Sequence, residues 1–141
     1  MTPRQRLAEL ARGMQADIDG YAALHGLLER QFQAALRHDT DGMREVADAI
    51  SAQVNLLEGR RIERVGHVKA LLPEAAQPSV SELLKRVSGP LRLQMASMWS
   101  RLEEQVRECK VHNARNCRLI MEQGELMRRV LVGEDAIYAP A

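Results

Sequence analysis

The sequence predicts an all-α protein: an elongated antiparallel helical bundle, coiled-coil-like, of three long helices and one short helix. Three observations predict it. Apolar residues recur in steps of three and four along three long stretches of the chain, which is the period of one helix face. No run of alternating β-branched residues is bounded by hairpin turns, so strands are not expected. The 141 residues include only one Phe, two Tyr and one Trp. Aromatics supply much of the area in compact cores. Here Leu, Val, Ala and Met must supply it, which suits helices packed along their length.

The first helix is expected over residues 3–37. Thr2 can be its N-cap, Pro3 suits the first helical position, and Gln5 completes a capping box. Its seam reads Leu7, Leu10, Met14, Ile18, Tyr21, His25, Leu28, Phe32 and Leu36. Gly13, Gly20 and Gly26 weaken the helix but leave the periodicity unbroken. His38-Asp39-Thr40-Asp41-Gly42 is rich in turn and cap residues. A second helix is expected over 42–72, with a seam of Met43, Val46, Ile50, Val54, Leu57, Arg61, Val65, Val68 and Leu72. The short connection makes the two an antiparallel hairpin. Pro73 to Pro78 form a loop. Ser79-Val80-Ser81-Glu82 is a second capping box and opens a short helix over 80–87. Gly89-Pro90 breaks or kinks the chain before the last helix, residues 90–132. At 1.5 Å per residue that helix would be roughly 60 Å long. Gly133 is a natural residue to end it. Residues 1–133 therefore read as a single domain, and 134–141 as a flexible C-terminal tail.

Bulk properties exclude several functions. Net charge is +1, from 20 basic and 19 acidic residues, without the basic excess of a nucleic-acid binder. Arg60, Arg61 and Arg64 read as a solvated face interrupted by Glu63. No apolar run reaches the ~20 residues of a membrane span, and the N-terminus lacks a signal-peptide core. Stable membrane insertion is therefore not expected, and a cytoplasmic location is.

Catalytic and metal chemistry are not expected either. Glu103, Glu104, Glu122 and Glu125 lie on helix faces with no loop to form a cleft, and no phosphate loop or nucleophile motif is present. Cys109, His112 and Cys117 are close in sequence, and His25 or His67 could join them. One helix separates Cys109 from Cys117 by about 12 Å, too far for one zinc ion or for a disulfide. No cofactor is expected.

The informative residues are polar ones on the seams: His25, Arg61, Asn113 and Asn116. Buried amides need partners, and single buried polar residues fix register and partner choice. Beyond Asn116 the apolar stripe broadens. Leu119, Leu126 and Val130 lie roughly 60–100° off the seam line, beside Ile120, Met127 and Leu131. A helix covering the seam would leave them exposed, and an exposed apolar, Met-bearing helix suits another helix as partner.

The segment His112-Asn113-Ala114-Arg115-Asn116-Cys117-Arg118-Leu119-Ile120 resembles the N-x-x-N-G-x-L-I signature in the last helix of FlgN-type flagellar export chaperones. Trp99 about four turns earlier, Tyr138 after the long helix, the chain length and the helical hairpin agree with that family. The chain departs from it at Cys117, where members usually have Gly, and in the run Tyr138-Ala139-Pro140-Ala141. The resemblance implies a cytoplasmic, non-enzymatic chaperone that binds the hook-filament junction proteins FlgK and FlgL. It implies client binding by Leu119, Ile120, Leu126, Met127, Val130 and Leu131, and docking to the export gate protein FlhA through Tyr138. A structural coiled-coil adaptor, self-associating as a homodimer or larger scaffold, is the alternative that the seams also allow.

Overall fold

The computed structural model describes the backbone of residues 1–138 and the side chains as far as Gly133. It contains four helices: α1 (Pro3–Leu36), α2 (Thr40–Leu71), α3 (Val80–Leu84) and α4 (Gly89–Tyr138). The described residues form no strand. Local chemistry explains where each helix starts. Thr2 Oγ1 accepts from the Gln5 amide, and the Gln5 side chain accepts from the Thr2 amide, so the capping box is complete. Asp39 caps α2 by accepting from the Gly42 amide, which starts that helix two residues earlier than expected. Ser79 accepts from the Glu82 amide at the start of α3.

Two ends differ from the sequence reading. α3 stops at Leu84 and not at Val87. The Arg86 and Val87 amides bond back only three residues, to Leu83 and Leu84, so the chain tightens out of the α-helix. α4 does not stop at Val132. Left-handed backbone among the described residues occurs at His38 (φ 54°) and at Gly89 (φ 72°), and Gly133 stays helical. Without a left-handed residue there is no C-terminal cap at Gly133, and the helix continues to Tyr138. The tail expected over 134–141 therefore begins as helical backbone, and its last three residues lie outside the described ones.

The turn between α1 and α2 occupies only residues 37–39. The His38 amide bonds the Ala35 carbonyl at 3.1 Å, and the Asp39 amide bonds the Ala34 carbonyl at 2.9 Å. These two bonds around a left-handed His38 make a Schellman motif, a position that glycine usually fills. Gly89 has the same left-handed backbone where the chain turns from α3 into α4.

α1 is the central stave, packed along α2 on one side and α4 on the other. α2 returns antiparallel: Arg64 reaches Asp17, and Gln53 Nε2 donates to the Gly20 carbonyl at 3.0 Å. A methyl group at Gly20 would lie 2.8 Å from Leu57 Cδ2, so the glycine gives α2 a close approach. α4 runs parallel to α1. The main core lies where α3 closes one end. There Leu10, Met14, Val68, Leu72, Val80, Leu83, Met95, Met98 and Leu102 are buried together. A smaller cluster of Leu24, Leu28, Leu57 and Cys109 lies farther along, and Tyr21 touches both.

The middle of the α1–α2 seam is ionic. Asp17 is only 2% exposed, and Arg64 Nη1 donates to its Oδ2 at 2.8 Å while Arg60 Nε stands 3.5 Å from Oδ1. The Arg64 guanidinium also covers Trp99 at 5.3 Å, tying α2 to α4. Arg61, expected on this seam, is exposed and bonded to Glu58 of its own helix. The inward line passes through Gln53, Leu57, Arg60 and Arg64, so Val54 and Ile62 face outward. Sequence reading followed the apolar residues, and the helix pair instead seats polar ones.

Two outcomes are expected. His38→Gly relieves a left-handed residue that costs about 1 kcal/mol, so the melting temperature should rise by a few degrees. For Asp17, burial pushes the carboxyl above the usual carboxylate range, against Arg64 and Arg60, which pull it down. A raised native pKa means that folding favours the protonated acid. Its stabilisation is fully present below the unfolded pKa of about 4 and is lost as pH rises through the native value. Melting temperature of the native chain relative to Asp17→Asn, which cannot titrate, should therefore fall from about pH 4 towards neutrality. A flat difference would contradict the raised pKa.

Candidate partner-binding surface on the C-terminal helix

The face that α4 turns towards α1 is set by hydrogen bonds as well as by apolar contact. Gln105 Nε2 donates to the Ile18 carbonyl at 3.0 Å. Asn116 Nδ2 donates to the Leu28 carbonyl at 2.8 Å, and Gln123 Nε2 to the Ala35 carbonyl at 2.9 Å. The Cys109 thiol points at the Tyr21 carbonyl at 4.0 Å. Burial pushes that thiol's pKa up, as for an unreactive core cysteine. Cys109, Asn116 and Gln123 are seven residues apart, and so are Tyr21, Leu28 and Ala35. This is a parallel heptad pairing in constant register.

Asn116 is fully buried and fully satisfied. Its Nδ2 also bonds Gln31 Oε1 at 2.9 Å, and its Oδ1 accepts from Arg115 Nε and Nη2 at 3.1 and 3.0 Å. Arg115 reaches across to Glu29 at 2.9 Å and covers the Phe32 ring at 3.8 Å. Asn113, by contrast, is exposed, and its Oδ1 meets the Cys117 thiol of its own helix at 4.0 Å. It leaves the seam because the helix follows a period of 3.5 and not 3.6, and the line to its partner drifts away from residue 113. His25 is half-buried, its ring centroid 4.6 Å from that of His112.

The same drift revises the apolar stripe. The line through Asn116 and Gln123 continues to Val130, with Leu119 and Leu126 beside it. These three therefore lie on the α1-facing line, and not 60–100° away from it. What differs along the line is cover. α1 ends at Leu36, one residue beyond the carbonyl that Gln123 bonds. Leu119 and Ile120 are half-buried against the bundle. Beyond Gly124, Leu126, Met127, Val130 and Leu131 are 52–61% exposed. They span an arc of about 140° on the helix. Arg118, Glu122, Arg128 and Arg129 are exposed on the flanks, with Arg129 3.6 Å from Glu125. α4 thus overhangs the bundle as an amphipathic helix whose apolar side has no intrachain partner among the described residues. The Tyr138 side chain lies outside them.

Sequence reading missed Asp17 and took Arg60 and Arg64 for a solvated face, whereas both are half-buried and paired with that buried carboxylate. On the other seam it missed Gln105, Arg115 and Gln123. The spacing of seven from Asn116 to Gln123 was a usable signal, because both are side-chain amides on one heptad position. A cleft of about 300 Å³ beside Asp17 is lined by Glu9, Leu10, Met14, Arg60, Glu63 and Arg64. The charges of Asp17, Arg60 and Arg64 there are already paired with one another.

The contrast between the two asparagines is testable. Asn116→Ala strips a buried network of its centre and should cost about 1–3 kcal/mol in chemical denaturation. Asn113→Ala changes an exposed residue and should stay within about 0.5 kcal/mol of the native chain.

No helix among the described residues is long and apolar enough to cross a membrane. Neither a curated protein nor a solved structure matches the chain. A family model does: the model of the FlgN protein family matches residues 1–132. That span takes in all four helices' packed portions and the asparagine-bearing segment. The chain belongs to the FlgN family of flagellar export chaperones.

Proposed function

We propose that this chain is a cytoplasmic, non-enzymatic holding chaperone for flagellar type III export, and that its α4 overhang is the client-binding surface. The observation that carries this reading is the exposed stripe of Leu126, Met127, Val130 and Leu131 on a helix already formed. An amphipathic client segment laid along the overhang buries that stripe and so stays soluble until export. Leu119 and Ile120, half-buried at the base of the overhang, form its lower edge.

The clients are the hook-filament junction proteins FlgK and FlgL, and delivery is to the export gate protein FlhA. This assignment of partners rests on the family. Tyr138, at the far end of the helical backbone, is the residue for docking at the gate. Client and gate would then engage neighbouring parts of one helix, so a bound client presents the docking residue beside itself.

Leu126→Asp with Val130→Asp tests the surface. Purified FlgK or FlgL should bind the native chain and lose at least about tenfold in affinity to the double variant. Circular dichroism should remain helical. Undiminished binding would move the client site elsewhere. Light scattering over a dilution series addresses the self-associating scaffold, which requires oligomers where a chaperone stays helical as a monomer.

A further inference from the structure

His25 and Glu29 lie four apart on α1 and so share one face. The α1–α4 register sets His112 against them. One donor atom from each of the three lies within 4.8 Å of the others. The two imidazole rings stand 4.6 Å apart at 44°. His112 Nδ1 is buried and has no hydrogen-bond partner. Two imidazoles and a carboxylate from two helices, with one ring nitrogen unspent, form a donor set of defined chemistry. Sequence reading expected no metal site because it built the ligand set on Cys109 and Cys117, which one helix cannot bring to one ion.

We propose that His25, Glu29 and His112 bind one divalent transition-metal ion of the zinc class, which staples α4 to α1. The donors favour this class. Magnesium and calcium take oxygen ligands, whereas two imidazoles with one carboxylate suit zinc, cobalt, nickel or copper. Zinc at about 2.0–2.2 Å from each ligand brings the donor atoms to roughly 3.3–3.5 Å from one another. The cluster therefore closes by about 1.5 Å at most, a movement of side chains and not of helices. Three protein ligands leave a fourth position for water.

Arg115 holds the Glu29 carboxylate by one oxygen at 2.9 Å. A carboxylate has two oxygens, so Arg115 orients the ligand while the ion takes the other lone pairs. The site lies between the layers of Cys109 and Asn116, where α1 and α4 meet through polar side chains. An ion there adds a directional bond between α1 and α4. The inference is independent of what the overhang binds.

Thermal melts of the full-length chain with Zn²⁺, with Mg²⁺ and with a chelator test this, together with calorimetric titration of Zn²⁺. The expected result is one ion per chain and a melting temperature raised by several degrees by Zn²⁺ at about a hundredfold over its Kd, but not by Mg²⁺. His112→Gln and Glu29→Gln should each weaken Zn²⁺ binding at least about tenfold and remove the shift. If His112→Gln does not fold, His25→Gln replaces it. Cys117→Ser, at an exposed thiol outside the cluster, should keep the shift. The proposal is overturned if the native chain shows no shift, if the histidine variants retain it, or if Cys117→Ser abolishes it.

Discussion

Amide side chains of α4 donating to backbone carbonyls of α1 hold the structure in one register. Those carbonyls already accept a backbone N–H, from the helix or, at Ala35, from His38 of the turn, and the second lone pair takes the side chain. Apolar packing is non-directional and tolerates sliding. A row of donors aimed at Ile18, Leu28 and Ala35 does not. A slip of one residue would leave buried amides without partners. The position of α4's end relative to α1's end is thereby fixed, and with it how much of α4 lies beyond cover. The same register sets His112 beside His25 and Arg115 beside Glu29.

The two halves of the bundle are held differently. Near α3, all four helices bury Leu, Met and Val side chains together, each worth roughly 1.5–3 kcal/mol. Towards the hairpin turn, α4 meets α1 through Asn116, Arg115 and Gln123, where each hydrogen bond contributes about 0.5–1.5 kcal/mol net. Stability is therefore concentrated at the α3 end, and specificity at the other. Asp17 with Arg60 and Arg64 stands between them on the α2 side.

The fold was legible because its signals are local. Periodicity marked the three long helices, and the Thr2 and Ser79 caps were visible as short patterns. Ends were less legible: Gly133 looked like a stop, but a stop needs a left-handed backbone that only the folded chain specifies. The seams were legible where they are apolar and misleading where they are polar. Arg61 was placed inward to complete a row that Arg60 and Arg64 in fact occupy, because a buried Asp17 on the other helix calls them there. Asn113 and Asn116 looked equivalent at 3.6 residues per turn and separate at 3.5. Leu126, Met127, Val130 and Leu131 are exposed as expected, whereas Leu119 and Ile120 are half-buried. The cause of the exposure is the length of α1, a fact about a different part of the chain.

The overhang also changes what a partner must do. Fourteen residues, Glu125 to Tyr138, lie beyond Gly124 on α4. An isolated peptide of that length is marginally helical in water, because the first turn must be nucleated against a large loss of backbone freedom. Here the first turn is never nucleated anew. It grows from a helix already clamped to α1 by Asn116 and Gln123, so only the favourable propagation step remains at each residue. Gly124 subtracts up to ~1 kcal/mol at the point of departure. A partner segment meeting this surface would find its template preorganised by bonds about one to four turns away, and the ordering entropy of such a complex would fall mainly on that segment.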